Sequence, residues 1–253
     1  MLVRHGETEA NADKSVYKKK ADHATLLSEL GVTQAIGAAH HLLEFFKCNF
    51  GYESGGVPPP DWSCSIWASS YKRAVDTAQI IMDNSGGWIT EKNVSVFLIE
   101  QQFGLFEGVD WSSGEVDQRF PRELSMYNKC STFGGRFWAN IPMGESRFDV
   151  CKRVYSLLNT IHKNAKAKKQ NYNIIVSHGV TIRAFLMMYL GLQPEWMEEC
   201  INPSNCSIRH IEKGKDKGYI WPVKDAETPL KDLLSHIQET HPKDESEQTD
   251  KPS

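Results

Sequence analysis

The segment Leu2-Val3-Arg4-His5-Gly6-Glu7-Thr8 begins with two apolar residues and changes abruptly to charged and polar ones. A short apolar run that stops at a glycine-containing turn is typical of a buried β-strand. A second run of the same kind, residues 174–177, stops at His178-Gly179. Both runs therefore predict buried strands, and each strand ends in a histidine followed by a glycine. A glycine at that place lets another backbone or a ligand approach closely.

The rest of the chain alternates helical and β-prone segments. Apolar residues recur at helical spacing over 28–47, 71–82, 148–161 and 180–190, and a further helix is predicted over 115–127. Besides the two runs above, β-prone segments occur at 65–68 and 94–99, and a hairpin is predicted from strands 207–211 and 219–221 around a loop at 212–218. This alternation indicates an α/β fold, here a three-layer sandwich with a mainly parallel central sheet flanked by helices.

Length and composition limit the class of protein. The 253 residues are 40% hydrophobic and 24% charged, which suffices for a packed core and excludes global disorder. A net charge of −3 gives no basic field, so no nucleic-acid partner is expected. No apolar run is long enough to cross a bilayer and the N-terminus lacks a signal-peptide pattern, so we expect a cytoplasmic protein. The cysteines lack metal-binding spacings and are expected to be free thiols: Cys48, Cys64, Cys130, Cys151, Cys200 and Cys206.

The C-terminal part of the chain differs from the rest in composition. Residues 224–253 contain four lysines and eight acidic residues, so the acidity of the chain resides there. A short helix is predicted over 223–240, where aliphatic residues follow Thr228 and Pro229 at helical spacing. Residues 241–253 contain no aliphatic or aromatic side chain and predict a disordered acidic tail.

Chemically active side chains gather at the predicted strand ends, which is where open α/β sheets place their sites. These side chains are Arg4, His5, Arg73, Glu100 and His178. Two arginines can hold a tetrahedral anion, and a neutral imidazole is a competent nucleophile toward phosphorus. A carboxylic acid can protonate a leaving alkoxide and then deprotonate water. Each residue alone also fits a structural role, but together they predict phosphoryl transfer that needs no metal.

Several motifs with these residues resemble those of the histidine phosphatase superfamily, the phosphoglycerate-mutase-like proteins. The resemblance covers about residues 1–222. The matching motifs are Leu2-Val3-Arg4-His5-Gly6-Glu7-Thr8, Leu27-Ser28-x-x-Gly31-x-x-Gln34-Ala35, Ser69-Ser70-x-x-Arg73-Ala74-x-x-Thr77-Ala78, Glu100-x-x-Phe103-Gly104-x-x-Glu107-Gly108, Pro142-x-Gly144-Glu145-Ser146 and Val176-Ser177-His178-Gly179. The family resemblance implies the same α/β sandwich, with a cap inserted at about residues 101–144.

The resemblance also implies the chemistry of the site. His5 becomes phosphorylated, and Arg4, Arg73 and His178 hold the phosphoryl group. The implied substrate is a phosphorylated small molecule, and neither a metal nor another cofactor is expected. Relatives often pair, but the sequence does not decide between a monomer and a homodimer.

Four further residues receive roles from the resemblance. Glu100 occupies the place of the catalytic acid, with Glu107 as the rival for that role. Asn11 stands where the family has its phosphate-contacting asparagine, and Gly179 is expected to offer its backbone to the phosphate. Because His5 must be neutral while the acid is protonated, activity is expected to peak near neutral pH or on its acid side.

Departures from the mutase pattern favour hydrolysis. Glycolytic mutases follow the acid with Arg-His-Tyr, whereas this chain has Gln101-Gln102-Phe103. The usual tryptophan before the asparagine is Ala10, and the long mutase motif rich in arginine and asparagine has no counterpart over 109–128. Residues 18–23 resemble a eukaryotic branch usually described as phosphatases. A phosphoglycerate-type mutase is the alternative enzyme, and a non-catalytic phosphate-binding regulatory protein is the alternative of another class.

Two regions allow more than one interpretation. The aromatic and arginine residues of the 101–144 cap, Trp111 among them, fit either a small apolar sub-core with solvated arginines or a substrate pocket. Likewise, Lys18–Lys20 fit either a solvated loop or a surface that attracts polyanions. Met1 stands three residues before Arg4, so the first strand is either trimmed or preceded by residues upstream of this chain.

Overall fold

A central sheet dominates the computed structural model, which describes residues 1–50, 56–109 and 113–221. Its strands are β1 (Leu2–Arg4), β2 (Cys64–Ser69), β3 (Glu91–Ser95), β4 (Tyr172–Ser177), β5 (Ile208–Glu212) and β6 (Lys215–Trp221). Within the described part of the chain they form a six-stranded sheet in the order β3-β2-β4-β1-β5-β6. The first four strands in that order run parallel, β5 is antiparallel to β1, and β6 is antiparallel to β5. The predicted C-terminal helix, the tail and Trp111 lie outside the described residues.

Helices cover both faces of the sheet. They are α1 (Glu9–Ala12), α2 (Glu29–Phe50), α3 (Lys72–Asp83), α4 (Glu115–Arg119), α5 (Pro121–Gly134), α6 (Arg147–Ala167), α7 (Gly179–Leu190) and α8 (Pro194–Glu199). Val3 packs with α2 and α3 in one apolar cluster, whereas its neighbour Leu2 packs with α6 and α7 in another. Because successive side chains of a strand point to opposite faces, this division confirms the predicted three-layer sandwich.

The pairing of β1 with β4 brings the two predicted histidines together. Arg4 is in register with Ser177, so His5 and His178 both lie one residue beyond the paired ends. The backbone N–H of His5 also donates to the carbonyl of Ser177 at 3.0 Å. Two strands 170 residues apart in sequence thus deliver their terminal histidines to one point at the carboxyl edge of the sheet.

The position predicted for the strand over 94–99 was wrong. Strand β3 begins and ends earlier, at Glu91–Ser95, and the chain then forms a turn of 3-10 helix at Val96–Leu98. The side chain of Ser95 caps that turn by accepting the N–H of Phe97 at 3.2 Å, which ends the strand. Glu100 therefore follows a capped turn and not the strand end itself.

Two other local predictions were wrong for identifiable reasons. The single helix predicted over 115–127 is two helices, because Pro121 starts a new helix after the non-helical Phe120. The loop predicted over 212–218 is mostly strand, with a tight turn at Lys213 and Gly214, whose φ angles are 49° and 73°. Positive φ at both central positions is the conformation that two-residue hairpins favour.

The predicted cap region contains an apolar cluster of its own. It consists of Phe106, Val109, Val116, Leu124 and Ile141, separate from the two clusters of the sheet. Arg119 is exposed and pairs with Glu115 at 3.2 Å, as expected for a solvated arginine. None of the described helices is both long enough and apolar enough to span a bilayer. All six cysteines lie within the described residues, and none of them is assigned to a disulfide there.

Candidate active site

His5 is held in one tautomer, which leaves one particular ring nitrogen able to act as a nucleophile. Its Nδ1 lies 2.7 Å from the carbonyl oxygen of Gly6, which can only accept a hydrogen bond. We therefore assign the proton to Nδ1 and leave the lone pair on Nε2. The Nε–H of Arg73 donates to that Nε2 at 3.3 Å. The nitrogen suited to attack is therefore Nε2, and an arginine directly faces it.

Burial and nearby cations keep both site histidines neutral. Burial lowers the pKa of His5 well below 6.5, and the positive charges of Arg73 and Arg4 lower it further. The pKa of His178 is likewise well below 6.5, because of burial and then of Arg73 and His5. A histidine that is neutral at and below neutral pH can act as a nucleophile in mild acid.

The two neutral histidines predict a specific pH dependence of stability. In the unfolded chain both titrate near the usual histidine pKa of about 6.5, but in the folded protein they stay unprotonated to much lower pH. Above about pH 6.5 the two histidines do not change the free energy of unfolding. Below that pH the unfolded state binds protons that the folded state does not, so stability falls. Each histidine contributes a slope of about 1.4 kcal/mol per pH unit.

Urea unfolding in phosphate-free buffer at several pH values between 5 and 8 measures this slope. The variant His178→Gln should flatten the decline by about 1.4 kcal/mol per pH unit, which isolates the histidine from the carboxylates. An identical slope in the variant and the wild type would contradict the neutral, buried state of His178.

Arg73 reaches His5 from the beginning of α3 and is anchored through its other nitrogens. Its NH1 donates to the backbone oxygen of Asp22 at 2.6 Å and to the hydroxyl of Thr25 at 2.8 Å. Both terminal nitrogens also bind the carboxylate of Asp22. The side chain is only 5% exposed. No sequence motif assigns a role to Asp22.

Arg4 and His178 carry buried donors that lack a partner among the described residues. NH1 of Arg4 donates to the carbonyl of Pro203 at 2.7 Å, whereas its Nε is buried and unpaired within the described chain. His178 Nε2 lies 2.8 Å from the hydroxyl of Ser69, which already accepts the N–H of Tyr71. A hydroxyl that accepts one N–H still has its own proton to donate, and we assign that proton of Ser69 to Nε2 of His178. With this assignment Nδ1 of His178 carries the ring proton and is the second buried donor without a partner among the described residues.

Unpaired buried donors are rare because each costs free energy, so two beside one nucleophile point to an anionic ligand. The ring of His178 lies 5.0 Å from that of His5, centroid to centroid. The positive charge of Arg73 contributes to the lowered pKa of Arg4, which places the two guanidinium groups near each other. Cationic and neutral donors thus lie near His5, a combination suited to binding a tetrahedral anion.

Glu100 is held at the beginning of α7. Its carboxylate accepts the N–H of Gln101 at 2.9 Å, and the N–H of Val180 and the hydroxyl of Thr181 at 3.4 Å. A carboxylate is stabilised at the N-terminus of a helix by the unpaired N–H groups and the dipole. Burial lowers the pKa of Arg4 and the negative charge of Glu100 opposes that effect, which places the two side chains near each other.

Glu107, the rival acid, also belongs to this neighbourhood. Its Oε2 accepts the N–H of Phe103 at 3.2 Å. Partial burial of the carboxyl raises the pKa of Glu107, and the negative charges of Asp22 and Glu100 raise it further. The structure therefore brings both carboxylates near the arginines, and Glu100 as the acid stays a prediction.

The remaining predicted residues are engaged by the protein itself. The Oδ1 of Asn11 accepts the N–H of Thr8 in a capping box, so only its amide N–H groups could reach a phosphate. A Cβ on Gly6 would lie 2.5 Å from the carbonyl oxygen of Gly31, and one on Gly179 would lie 2.5 Å from the side chain of Asn202. The close approach that these two glycines permit is therefore made by protein atoms, and the phosphate contact of Gly179 stays a prediction.

Tyr71 is a further site residue that the sequence analysis missed. Its ring lies 5.1 Å from the ring of His178 and 5.0 Å from the guanidinium carbon of Arg73. Its hydroxyl accepts the side-chain N–H of Gln102 at 2.5 Å. The sequence signal that could have identified Tyr71 is its position two residues before Arg73, inside the motif that begins at Ser69. Of Lys18–Lys20, which fit either a solvated loop or a surface that attracts polyanions, Lys20 is paired with Glu9 at 2.5 Å.

Among the residues that the structure describes, no group of three or more histidine, cysteine, aspartate or glutamate side chains could hold a metal ion.

Comparison with known proteins identifies the family. The family model of the histidine phosphatase superfamily (branch 1) matches residues 58–225, which include Arg73, Glu100 and His178. Phosphoglycerate mutase-like protein AT74 from Arabidopsis thaliana is 30% identical over 244 residues, which cover 91% of this chain and 69% of the relative. The chain therefore belongs to the histidine phosphatase superfamily.

Two phosphatases are also similar to this chain. Broad-range acid phosphatase DET1 from Saccharomyces cerevisiae is 25% identical over 282 residues, covering 84% of each protein. The solved structure of a mycobacterial glucosyl-3-phosphoglycerate phosphatase with VO3 superposes with a TM-score of 0.57 and is 26% identical. That match covers 82% of this chain and 89% of the other. The relatives thus include phosphatases and phosphoglycerate mutase-like proteins.

Proposed function

We propose that this protein hydrolyses phosphomonoesters through a phosphohistidine intermediate on His5. The observation that carries the proposal is the environment of His5 Nε2: a neutral nucleophile faced by Arg73 and accompanied by buried, unpaired donors on Arg4 and His178. In the first step Nε2 attacks phosphorus, and the bond from phosphorus to the ester oxygen breaks. Glu100 in its acid form gives its proton to the departing alkoxide.

In the second step water attacks the phosphohistidine. Glu100, now a carboxylate, accepts a proton from that water as the new oxygen–phosphorus bond forms and the bond to Nε2 breaks. The products are inorganic phosphate, neutral His5 and protonated Glu100, so the cycle closes without a metal. Arg4, Arg73 and His178 stabilise the equatorial oxygens of phosphorus in both steps, because their donors are already in place. Asn11 and the N–H of Gly179 are proposed as additional phosphate contacts.

The segment that follows Glu100 favours hydrolysis over mutase activity. The side chain of Gln101 donates to the carbonyl of Glu145 at 2.8 Å, and that of Gln102 is bound to Tyr71. Both amides are used within the protein, and neither carries the charge that would retain the carboxylate of a phosphoglycerate. Water, rather than a retained phosphorylated acid, is then the acceptor. The acid phosphatase among the relatives supports the same assignment.

Incubation with p-nitrophenyl phosphate in the presence of EDTA tests the function. We expect steady release of phosphate, unchanged in the control variant Arg119→Ala, which alters an exposed arginine of the predicted cap. Interconversion of 2- and 3-phosphoglycerate, followed by NMR, should be slower than their hydrolysis. No phosphate release together with no acid-labile phosphate on the protein would contradict an enzyme, and interconversion faster than hydrolysis would identify a mutase.

A further inference from the structure

Asp22 occupies one edge of the Arg73 guanidinium group. Its two carboxylate oxygens accept from NH1 at 2.9 Å and from NH2 at 3.1 Å, so the contact is end-on and bidentate. The backbone oxygen of Asp22 and the hydroxyl of Thr25 bind NH1 as well. Asp22 precedes Arg73 by 51 residues and lies on a short turn of 3-10 helix at Asp22–Ala24.

The end-on contact decides which edge of the guanidinium faces the nucleophile. A guanidinium is planar and rigid, so fixing the NH1 and NH2 edge also fixes the direction of Nε–H. That Nε–H lies 3.3 Å from Nε2 of His5. With NH1 and one proton of NH2 committed to Asp22 and Thr25, the Nε edge is the part of Arg73 that can meet an oxygen bound to phosphorus.

Burial makes the ion pair sensitive to the loss of either member. The side chains of Arg73 and Asp22 are 5% and 16% exposed. Removing one partner of a buried pair leaves the other charge uncompensated, and the remaining side chain then moves toward other partners. Without its carboxylate partner, Arg73 would keep the backbone oxygen of residue 22 and the hydroxyl of Thr25 on NH1. NH2 would lose its bond to the carboxylate, and the 3.3 Å contact from Nε to His5 would be less firmly fixed.

We propose that Asp22 is a positioning residue for phosphoryl transfer: it holds the Nε edge of Arg73 at His5. The proposal rests on the function proposed above. The opposite possibility is that Asp22 competes with phosphate for Arg73, in which case its removal would improve phosphate binding. The two roles predict changes of opposite sign, so one set of variants separates them.

The test compares Asp22→Asn and Asp22→Ala with Asp13→Asn. Asp13 is an exposed residue nearby in the same N-terminal segment whose carboxylate binds Ser15, so its variant removes the same charge without touching Arg73. For p-nitrophenyl phosphate we expect Asp22→Ala to lower kcat about 30- to 100-fold, because misplacing a catalytic contact by about 1 Å costs on that order. Asp22→Asn, which keeps one acceptor, should lose less, and Asp13→Asn should match the wild type.

Inhibitor binding distinguishes positioning from simple damage to the fold. Vanadate resembles the five-coordinate phosphorus of the transition state, so its affinity should fall by the same factor as kcat. The affinity for inorganic phosphate should change much less. Unchanged kcat in both Asp22 variants, or tighter phosphate binding with faster turnover, would overturn the proposal. Asp22→Asn keeps the test valid if the alanine variant unfolds.

A resting-state readout separates this proposal from the proposed function. The 15N resonance of His5 Nε2 should move toward that of an acceptor without a hydrogen bond in Asp22→Ala, but not in Asp13→Asn. An unmoved resonance would overturn the role of Asp22 even in an active phosphatase. If the wild type fails to hydrolyse any phosphomonoester, the proposed function fails, while the NMR shift still reports whether Asp22 orients Arg73.

Discussion

Replacement of His5 by asparagine is expected to lower kcat for phosphomonoester hydrolysis by about 10⁴-fold or more, as removal of a catalytic nucleophile does in other enzymes. Asparagine can still bond to the carbonyl of Gly6, but it offers no lone pair of comparable basicity at the position of Nε2. The binding donors of Arg4, Arg73 and His178 remain, so phosphate should still bind. Loss of turnover with retained phosphate affinity is the signature of a missing nucleophile.

His23→Asn is the matched control for this change. His23 is an exposed histidine whose ring lies 6.3 Å from Tyr71, so it borders the site without contacting His5 in the described structure. Its replacement should leave kcat within a few-fold of the wild type. Substantial turnover by His5→Asn, or loss of turnover in His23→Asn alone, would contradict the assignment of the nucleophile.

Replacement of Glu100 by glutamine is expected to affect the two chemical steps differently. With an alkyl phosphate, kcat should fall about 10²- to 10⁴-fold, because the alkoxide then departs without a proton. A nitrophenolate departs without protonation, so p-nitrophenyl phosphate should still phosphorylate His5. Because the variant lacks the base for the second step, stopped-flow measurements should show a burst of nitrophenolate followed by slow turnover.

Glu107→Gln provides the comparison that decides between the two carboxylates. The raised pKa of Glu107 would suit an acid. Glu100, however, accepts the N–H of Gln101 and that of Val180 at the start of α7, and it lies near Arg4. We expect Glu107→Gln to retain most of the activity on alkyl phosphates and to show no burst. If Glu107→Gln abolishes turnover and Glu100→Gln does not, the acid is Glu107.

The layout of the sheet could be predicted because it depends on short-range patterns. The apolar runs before His5 and His178 are buried strands, and their parallel pairing follows from the helices between them. Local capping interactions were harder to anticipate. The hydroxyl of Ser95 ends β3 before the predicted boundary, although residues beyond it are as β-prone as those within it. The hairpin turn at Lys213-Gly214 was missed because the flanking strands are polar and charged.

The catalytic candidates could be predicted from motifs, but the residues that hold them in position could not. Asp22 and Arg73 meet through a long-range contact between an irregular loop and a helix, and no periodicity of the sequence reports such a pairing. The glycines show the same limit. Gly6 was expected to admit a ligand or another backbone, and the structure shows the backbone of Gly31 in that place. A motif identifies the residue type at a position. Packing determines which atoms occupy the space beside that residue.

Trapping the intermediate tests the central claim most directly. The wild-type protein is mixed with a phosphomonoester, quenched in alkali within milliseconds to preserve phosphohistidine, and analysed by peptide mass spectrometry and 31P NMR. The hydrogen bond from Nδ1 to Gly6 leaves only Nε2 free to attack, so we expect one phosphoryl group on Nε2 of His5. Phosphate on Nδ1, phosphate on His178, or release of product with no phosphohistidine at any quench time would contradict it.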